Sequence, residues 1–189
     1  MTLIDKERET YETMWGIPNY DESSPGARVL PVFLDMATPN MRGSILDAGC
    51  GSGKGALALR AVGFDVCMCD LTNAGLVEDA RDLSFTEIAL WADLKKKIGF
   101  VDWVYCCDVL EHIPPSFSML VVARMLEIAR KGVFLSITFT PDEFGAWVGK
   151  PLHQTLQTYV VWKEQLASIG RVKESRDLIN CGMFLVEPC

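Results

Sequence analysis

Three glycines at alternate positions are the first residues whose spacing could bind a ligand, in the segment Ser44–Gly55 with the sequence SILDAGCGSGKG. Gly49, Gly51 and Gly53 follow a short apolar run and precede a segment with helical spacing. Alternate glycines let the chain turn sharply with positive φ and bring backbone N–H groups close to a ligand. The start of the following helix adds further N–H donors. The pattern therefore predicts a ligand-binding turn between a strand and a helix.

Two phosphate-binding motifs fit this turn poorly. A Walker loop ends in Gly-Lys followed by Ser or Thr, with a first glycine five positions before the second. Here the chain has Gly-Lys-Gly, and Ala48 stands where the first glycine would be. The dinucleotide fingerprint is matched only if it begins at Gly51 and takes Ala56 as its last residue. The remaining alternative is a glycine turn that only shapes the fold. The residues around the turn decide between this alternative and a ligand-binding turn.

Two carboxylates flank the turn. Asp70 ends the next apolar run, about twenty residues further on, where a carboxylate can accept hydrogen bonds from ribose hydroxyls. Asp47 directly precedes the turn, where it would repel a pyrophosphate but attract a positively charged amino group. The pair favours a cofactor that joins adenosine to a cationic amino acid. It disfavours a nicotinamide-dependent dehydrogenase.

The elements that must position these residues alternate along the chain. Runs rich in β-branched, aromatic or cysteine residues predict strands at Ile45–Ala48, Phe64–Cys69, Phe85–Leu90, Val101–Cys107 and Val133–Phe139. Helical spacing predicts helices at Lys54–Val62, Ala74–Asp82, Leu94–Ile98 and Ser116–Arg130. This alternation predicts an α/β, doubly wound parallel sheet with helices on both faces, whose ligands bind at the carboxyl ends of the strands.

Both ends of the chain depart from this alternation. Asp5–Trp15 has the pattern of an amphipathic helix. Near the carboxyl end, a helix is predicted over Thr158–Ile169, with Gly170 as its stop signal. Two strand-like runs follow, Arg171–Arg176 and Cys181–Glu187. A terminal antiparallel hairpin at the sheet edge is the simplest arrangement for them.

The composition of the chain disfavours some classes of binding partner. The net charge of −7 and a single short basic cluster, Lys95–Lys97, disfavour nucleic acid. No apolar run is long enough to span a bilayer, and the first residues lack the apolar core of a secretion signal. Most of the seven cysteines lie inside apolar runs, and no CxxC pair occurs. These features predict a cytoplasmic protein with no membrane partner and no metal site. The oligomeric state stays open.

With these residues in place, the chain resembles the class I S-adenosylmethionine-dependent methyltransferases. The resemblance is carried by LDAGCGSG (Leu46–Gly53), Asp70 and DVLEHIP (Asp108–Pro114), in the family's order over most of the chain. It implies a Rossmann-like seven-stranded sheet with a C-terminal antiparallel hairpin. It also implies an N-terminal helix, including Tyr11–Trp15, that caps the cofactor.

The same resemblance implies a domain division and a set of cofactor contacts. We expect one methyltransferase-like domain over residues 1–189, with 1–43 as N-terminal cap and lead-in and 44–189 as the Rossmann-like core. The implied S-adenosyl-L-methionine contacts are Asp47, Gly49, Cys50, Gly51, Gly53, Asp70, Leu71, Leu90, Trp91 and Asp108. In this scheme Asp47 and the turn face the methionine part, Asp70 the ribose, and Asp108 the sulfonium. Trp91, like Trp15, could equally be an ordinary core aromatic.

An oxygen acceptor must lose a proton, and the two histidines are the candidate catalytic residues. His112 follows the fourth predicted strand, and His153 lies in the long loop after the fifth. We expect His153 to be the base, against the alternative that it only holds its loop in place. His112 and Glu111 could instead satisfy N–H donors at the start of the next helix.

Missing motifs exclude some classes of methyl acceptor but do not identify the acceptor. The Asn or Asp-Pro-Pro-aromatic motif of amino-methylating nucleic-acid enzymes is missing, and so is the Pro-Cys nucleophile of the cytosine-C5 enzymes. A small-molecule acceptor is therefore favoured, with a sugar or nucleotide-sugar hydroxyl as one specific hypothesis. Whether the methyl group goes to oxygen, nitrogen or carbon stays open. The alternative function is a non-catalytic S-adenosylmethionine-binding module that regulates or scaffolds a partner.

Overall fold

The computed structural model of the protein describes residues 1–18, 20–37 and 42–189. The α-helices in these ranges are α1 (Leu3–Trp15), α2 (Gly26–Ala37), α3 (Lys54–Ala61), α4 (Leu94–Lys97), α5 (Pro115–Ile128) and α6 (Tyr159–Ile169). The strands are β1 (Ser44–Ala48), β2 (Asp65–Asp70), β3 (Ser84–Glu87), β4 (Val101–Cys107), β5 (Ala129–Thr138), β6 (Arg171–Asp177) and β7 (Cys181–Glu187).

All seven strands belong to one sheet in the order β3-β2-β1-β4-β5-β7-β6. The first five strands pair in parallel, and β7 lies antiparallel between β5 and β6. The order reverses at β1, so β2 and β4 flank it. The predicted α/β, doubly wound Rossmann-like sheet and its terminal antiparallel hairpin are confirmed.

Both faces of the sheet are covered, which explains why its central strands are apolar at nearly every position. On β1, Ile45 packs in the layer that holds α2 and α3, whereas Leu46 packs in the layer that holds α5 and α6. Trp103 and Val104 divide in the same way on β4. Successive side chains of a strand point to opposite faces. A strand buried on both faces therefore needs apolar residues throughout.

Helix α2 lies in a stretch for which we predicted no helix. Its buried residues recur at helical spacing: Val29, Leu30, Phe33, Met36 and Ala37. Pro31 stands within the helix, and an interior proline removes a backbone hydrogen bond. The Tyr105 hydroxyl donates to the carbonyl of Gly26 (2.6 Å) and ties the start of α2 to the sheet.

The helix predicted over Ala74–Asp82 was wrong. That segment contains only a short 3-10 turn, Glu78–Ala80. Its backbone bonds to the glycine turn rather than within a helix, because the N–H of Val77 donates to the carbonyl of Ser52 at 3.0 Å. The segment therefore packs on the glycine turn as an irregular loop.

Two predicted boundaries also shift. Strand β3 ends at Glu87 rather than at Leu90, although Ile88, Ala89 and Leu90 are buried. Helix α5 ends at Ile128, and β5 begins at the next residue.

The division at residues 43 and 44 stays a prediction. Helix α2, assigned to the lead-in, contributes its apolar face to the same layer as α3. None of the helices in the described ranges combines the length and apolarity that crossing a membrane requires.

Replacing Phe33 with alanine should test how much α2 adds to stability. The fully buried Phe33 ring lies 5.3–5.9 Å, between centroids, from the rings of Phe64, Trp103, Tyr105 and Phe134. Removing a buried phenylalanine leaves a cavity and costs about 3–5 kcal/mol. Urea denaturation should show this loss for Phe33→Ala. Leu120→Ala, at a half-exposed site on α5, should lose less than about 1 kcal/mol. Equal losses would contradict this account of α2.

Candidate functional site

A cavity of about 430 Å³ lies at the carboxyl ends of the parallel strands, where the strand order reverses. Its walls include the glycine turn after β1, the ends of β2 and β4, and the loop after β5. Helix α1 closes one side through Glu7, Tyr11 and Trp15. The predicted rim of the sheet therefore forms a chamber sized for a small ligand.

The turn after β1 has the conformation that its glycines predicted. Gly49, Gly51 and Gly53 have φ angles of 73°, 51° and 76°. The N–H groups of Gly49 and Cys50 both donate to the carbonyl of Cys69, at 2.8 and 3.1 Å, which fixes the turn to β2. Gly49, Cys50 and Gly51 line the cavity, whereas Gly53 lies behind them as the N-cap of α3.

Trp15 of α1 lies directly against the turn. A Cβ atom built on Gly51 would come within 3.0 Å of the Trp15 ring, and one built on Gly75 within 2.3 Å. The indole therefore occupies space that only glycines leave open. It makes Trp15 part of the cavity wall above the turn.

Asp70, at the end of β2, holds the turn from the other side. Its carboxylate accepts the N–H of Gly51 (2.8 Å) and the N–H of Leu71 (2.6 Å). Burial raises the pKa of Asp70, and the backbone donors that face its oxygens partly offset the increase. Asp70 and Leu71 both line the cavity.

Asp47 lies outside the cavity lining. Its side chain is buried beneath the start of α3, and in the described part of the chain its Oδ2 atom has no hydrogen-bond partner. Burial, with the nearby charge of Asp70, raises its pKa from the ordinary value of 3.8 to about 7. The contact between Asp47 and a ligand's amino group stays a prediction.

Leu90 and Trp91 line the cavity just beyond β3. Trp91 also stacks on Phe117, with ring centroids 5.3 Å apart, and packs on the main core. It is a core aromatic and a wall residue at once, so the two alternatives for Trp91 do not exclude each other.

Asp108 follows the last residue of β4 and lines the cavity in a strained conformation. Its φ of 53° is unusual for a residue other than glycine. Its N–H donates to the carbonyl of Ser136 (2.9 Å), and the Ser136 hydroxyl lies 3.5 Å from its Oδ1 atom. Burial raises the pKa of Asp108, while the charges of His153 and Arg28 act in the opposite direction. The β4–β5 register thus holds this carboxyl at the cavity.

The two histidines, from different segments, meet in the cavity wall. The rings of His112 and His153 lie 4.6 Å apart between centroids and are nearly perpendicular. Nδ1 of His153 lies 2.5 Å from the carbonyl oxygen of Thr140. Since a carbonyl can only accept, this contact places a proton on Nδ1, and in the neutral ring the lone pair is then on Nε2. Burial and the neighbouring His153 lower the pKa of His112 to about 3, so its ring is neutral.

Glu111 corrects one of the sequence alternatives. Its Oε1 atom accepts the N–H of Thr138 on β5 (2.7 Å) rather than a donor at the start of α5. Helix α5 begins after Pro114 with no side-chain cap. The backbone carbonyl of Glu111 also accepts the N–H groups of Gln154 and Thr155, at 2.7 and 2.9 Å. Glu111 therefore joins the segment after β4 to the loop after β5.

Several wall residues were outside the predicted set. Asp142 organises the loop after β5, because its carboxylate accepts the N–H groups of Leu152 (2.7 Å) and His153 (3.0 Å). Tyr20 makes edge-to-face contacts with Trp15 and Phe144. In the sequence, the only sign of these wall residues is that aromatic residues cluster before the glycine turn and after the fifth predicted strand. Their meeting depends on long-range packing.

Residues 24–167, about three quarters of the chain, match a protein family described as methyltransferase domain. The Ubiquinone biosynthesis O-methyltransferase of Paraburkholderia xenovorans is 29% identical over 132 residues, which cover 65% of this chain and 56% of the relative. The chain spans from about a third to just over half the length of the curated relatives it matches.

Solved structures share the fold at low sequence identity. The DhpI–SAH complex has a TM-score of 0.71 at 14% identity, and the match covers 98% of this chain and 97% of that one. Magnesium protoporphyrin IX methyltransferase (ChlM) from Synechocystis PCC 6803 with bound SAM has a TM-score of 0.60 at 18% identity, covering 99% and 85%. At these identities the likeness shows the fold.

Asp47→Asn should remove a pH-dependent part of the stability. With a pKa of about 7 in the folded protein against 3.8 ordinarily, folded Asp47 keeps a proton that the unfolded chain releases. Its contribution is thus fully present below pH 3.8 and lost as the pH rises through about 7. The wild type should lose up to about 4 kcal/mol relative to Asp47→Asn across this window.

Urea denaturation of both proteins at a series of pH values measures that difference directly. Asp79→Asn removes one exposed carboxyl and controls for the change in net charge. A difference between wild type and Asp47→Asn that does not vary with pH would contradict the burial argument.

Proposed function

The chain belongs to the methyltransferase domain family, and from this premise we propose that it transfers a methyl group from S-adenosylmethionine to a small-molecule acceptor. One observation carries the proposal. Asp70 is the last residue of β2 and Asp108 directly follows β4, the two strands that flank β1, and both line the cavity that the glycine turn and His153 also line. The carboxyl that we assign to the ribose and the imidazole that we assign to the acceptor's proton thus line one cavity.

The residues around the turn fit an adenosyl cofactor. The left-handed backbone at Gly51 brings the main chain to the cavity surface, where the N–H groups of Gly49, Cys50 and Gly51 are already bonded to Cys69 and Asp70. The carboxylate of Asp70 accepts two backbone N–H groups and retains further lone pairs for ribose hydroxyls. The similar magnesium protoporphyrin IX methyltransferase was crystallised with SAM.

We assign the cofactor's parts to the predicted set of residues. The backbone of Gly49, Cys50 and Gly51 would face the methionine part, with Asp47 and Gly53 supporting it from below. The ribose would lie on Asp70 and Leu71. The adenine would lie between Leu90 and Trp91, where the apolar wall offers stacking. Asp108 would border the sulfonium, where a carboxylate stabilises positive charge.

When bound, S-adenosylmethionine supplies a methyl group that its positively charged sulfur has already activated. The protein must then hold the acceptor, exclude water and, for a hydroxyl acceptor, remove one proton. We propose that Nε2 of His153 receives this proton, since Thr140 holds the other ring nitrogen protonated. His112 would support it as a neutral ring at right angles.

The wall near His153 points to a ring-shaped acceptor. Tyr20 and Phe144 line this part of the cavity, and aromatic rings stack on either a phenol or the face of a sugar. A similar protein is named a Ubiquinone biosynthesis O-methyltransferase. We therefore propose a hydroxyl on a small ring compound, with the sugar or nucleotide-sugar hydroxyl as the specific prediction. The net charge of −7 supports a small molecule over nucleic acid.

Asp70→Asn should weaken S-adenosylmethionine binding at least tenfold. The amide cannot match a carboxylate that accepts both backbone donors and ribose hydroxyls, and hydrogen bonds to charged groups contribute about 1.5–3 kcal/mol. Isothermal titration calorimetry with S-adenosylmethionine measures the change. Asp79→Asn, an exposed carboxyl on the same connection, is the matched control, and thermal melting checks that both variants fold. An unchanged affinity would contradict the assignment of Asp70.

Incubation with S-adenosylmethionine carrying a labelled methyl group and a metabolite extract should yield a labelled small molecule. His153→Gln should lower this turnover by about 10²-fold or more, the usual contribution of a general base. Trp147→Ala, at an exposed site on the same loop, should keep the wild-type rate. Cofactor binding without transfer in any extract would favour the non-catalytic module. Full activity of His153→Gln would overturn the base assignment.

A further inference from the structure

We propose that Glu111, His112 and His153 form a binding site for a divalent transition-metal ion in the cavity wall. Each residue offers one ligand atom, and the three atoms all lie within 4.8 Å of one another. Two imidazoles and one carboxylate suit Zn²⁺, Mn²⁺, Fe²⁺ or Co²⁺ better than Mg²⁺ or Ca²⁺, which prefer oxygen ligands.

Two buried atoms of this cluster lack partners. Oε2 of Glu111 and Nδ1 of His112 have no hydrogen-bond partner in the described ranges, and the Glu111 side chain is 0% exposed. A buried carboxylate oxygen without a partner is costly, and a bound ion, a bound water or protonation of the carboxyl would satisfy it. A metal ion would satisfy both atoms at once.

The third ligand is already oriented. His153 directs Nδ1 at the carbonyl of Thr140, which leaves the Nε2 lone pair free for an ion. Metal-binding histidines commonly make this contact, because a backbone carbonyl on the other ring nitrogen fixes the tautomer and the ring orientation. The arrangement around His153 is therefore that of a prepared ligand.

Backbone bonds hold the two contributing segments together. The carbonyl of Glu111 accepts the N–H groups of Gln154 and Thr155, the residues directly after His153. The side-chain amide of Gln154 donates to the carbonyl of His112 (3.0 Å). Ligands from two separate loops are thus kept in register without an ion, which lowers the entropic cost of binding one.

Charge near the cluster also favours a cation. The carboxyl of Asp108 interacts electrostatically with Glu111, and one carboxylate ligand alone leaves a divalent ion with excess positive charge. Three protein ligands leave coordination positions open, and His112 and His153 line the cavity. The remaining positions can therefore face a small molecule bound there.

The role of the ion rests on the proposed function, whereas its binding does not. An acceptor hydroxyl that coordinates the ion would have a lower pKa and would release its proton to water before methyl transfer. This assignment revises one step of the proposed function: with the ion bound, Nε2 of His153 would be a ligand, and the ion rather than a free imidazole would activate the hydroxyl. Turnover that stops when the ion is removed, and returns when it is added back, is expected on this assignment. Turnover by rigorously metal-free enzyme would contradict this role of the ion.

Metal binding is tested without any cofactor. Protein stripped with a chelator is titrated with Co²⁺, followed by visible absorption, and with Zn²⁺, followed by calorimetry. We expect one equivalent to bind. Glu111→Gln, which keeps an acceptor for the N–H of Thr138, and His153→Gln should each weaken binding at least tenfold. Glu164→Gln and Cys189→Ser, both at exposed sites, should leave it unchanged.

Two results would overturn the site. One is binding of less than one equivalent of Co²⁺ or Zn²⁺ by the wild type, and the other is equal binding by the wild type and both cluster variants. Thermal melting of each variant verifies folding. Since S-adenosylmethionine is absent from the titration, failure here leaves the methyl-transfer proposal untouched.

Discussion

The hydrogen bond between the Asp70 carboxylate and the N–H of Gly51 is the interaction on which the rest of the site depends. It spans two neighbouring parallel strands and holds a left-handed turn against the end of β2. The bond is partly buried, so a shift of the turn would leave a desolvated carboxyl with one hydrogen-bond donor fewer. The cavity wall above it, including Trp15, takes its position from that turn. A ligand bound above the turn would therefore meet a surface that is already shaped.

A second polar connection sets the far wall. Glu111 bonds through its side chain to β5 and through its carbonyl to the loop that carries His153. Burial raises the pKa of Glu111 well above its usual range, and the charge of Asp108 adds to the effect. The hydrogen bonds that Glu111 makes offset the cost of burying its carboxyl. They also join two loops that share no regular secondary structure. Rigid placement of a loop by backbone bonds is how a sheet with variable connections supports a defined site.

Local patterns predicted most of the sheet, and packing between distant residues decided what they missed. The β1 run, the glycine spacing and Asp70 lie close together in sequence, so their arrangement follows from short-range geometry. Helix α2 depends on Phe33 meeting rings from β4, from β5 and from the residue before β2, and Pro31 obscures its pattern. The Glu111 contact depends on the pairing of β4 with β5, which no spacing along the chain reveals. Asp47 lies behind the turn for a similar reason, since α3 packs over it.

The close approach of Trp15 to Gly51 and Gly75 has an evolutionary consequence. A side chain at either glycine would collide with the indole, so substitutions at positions 15, 51 and 75 depend on one another. A larger residue at position 75 becomes acceptable only after the residue at position 15 has become smaller. Lineages that lose the tryptophan should therefore drift freely at position 75, while those that keep it remain fixed there. Position 51 is restricted to glycine for two reasons, the contact with the indole and its own left-handed backbone.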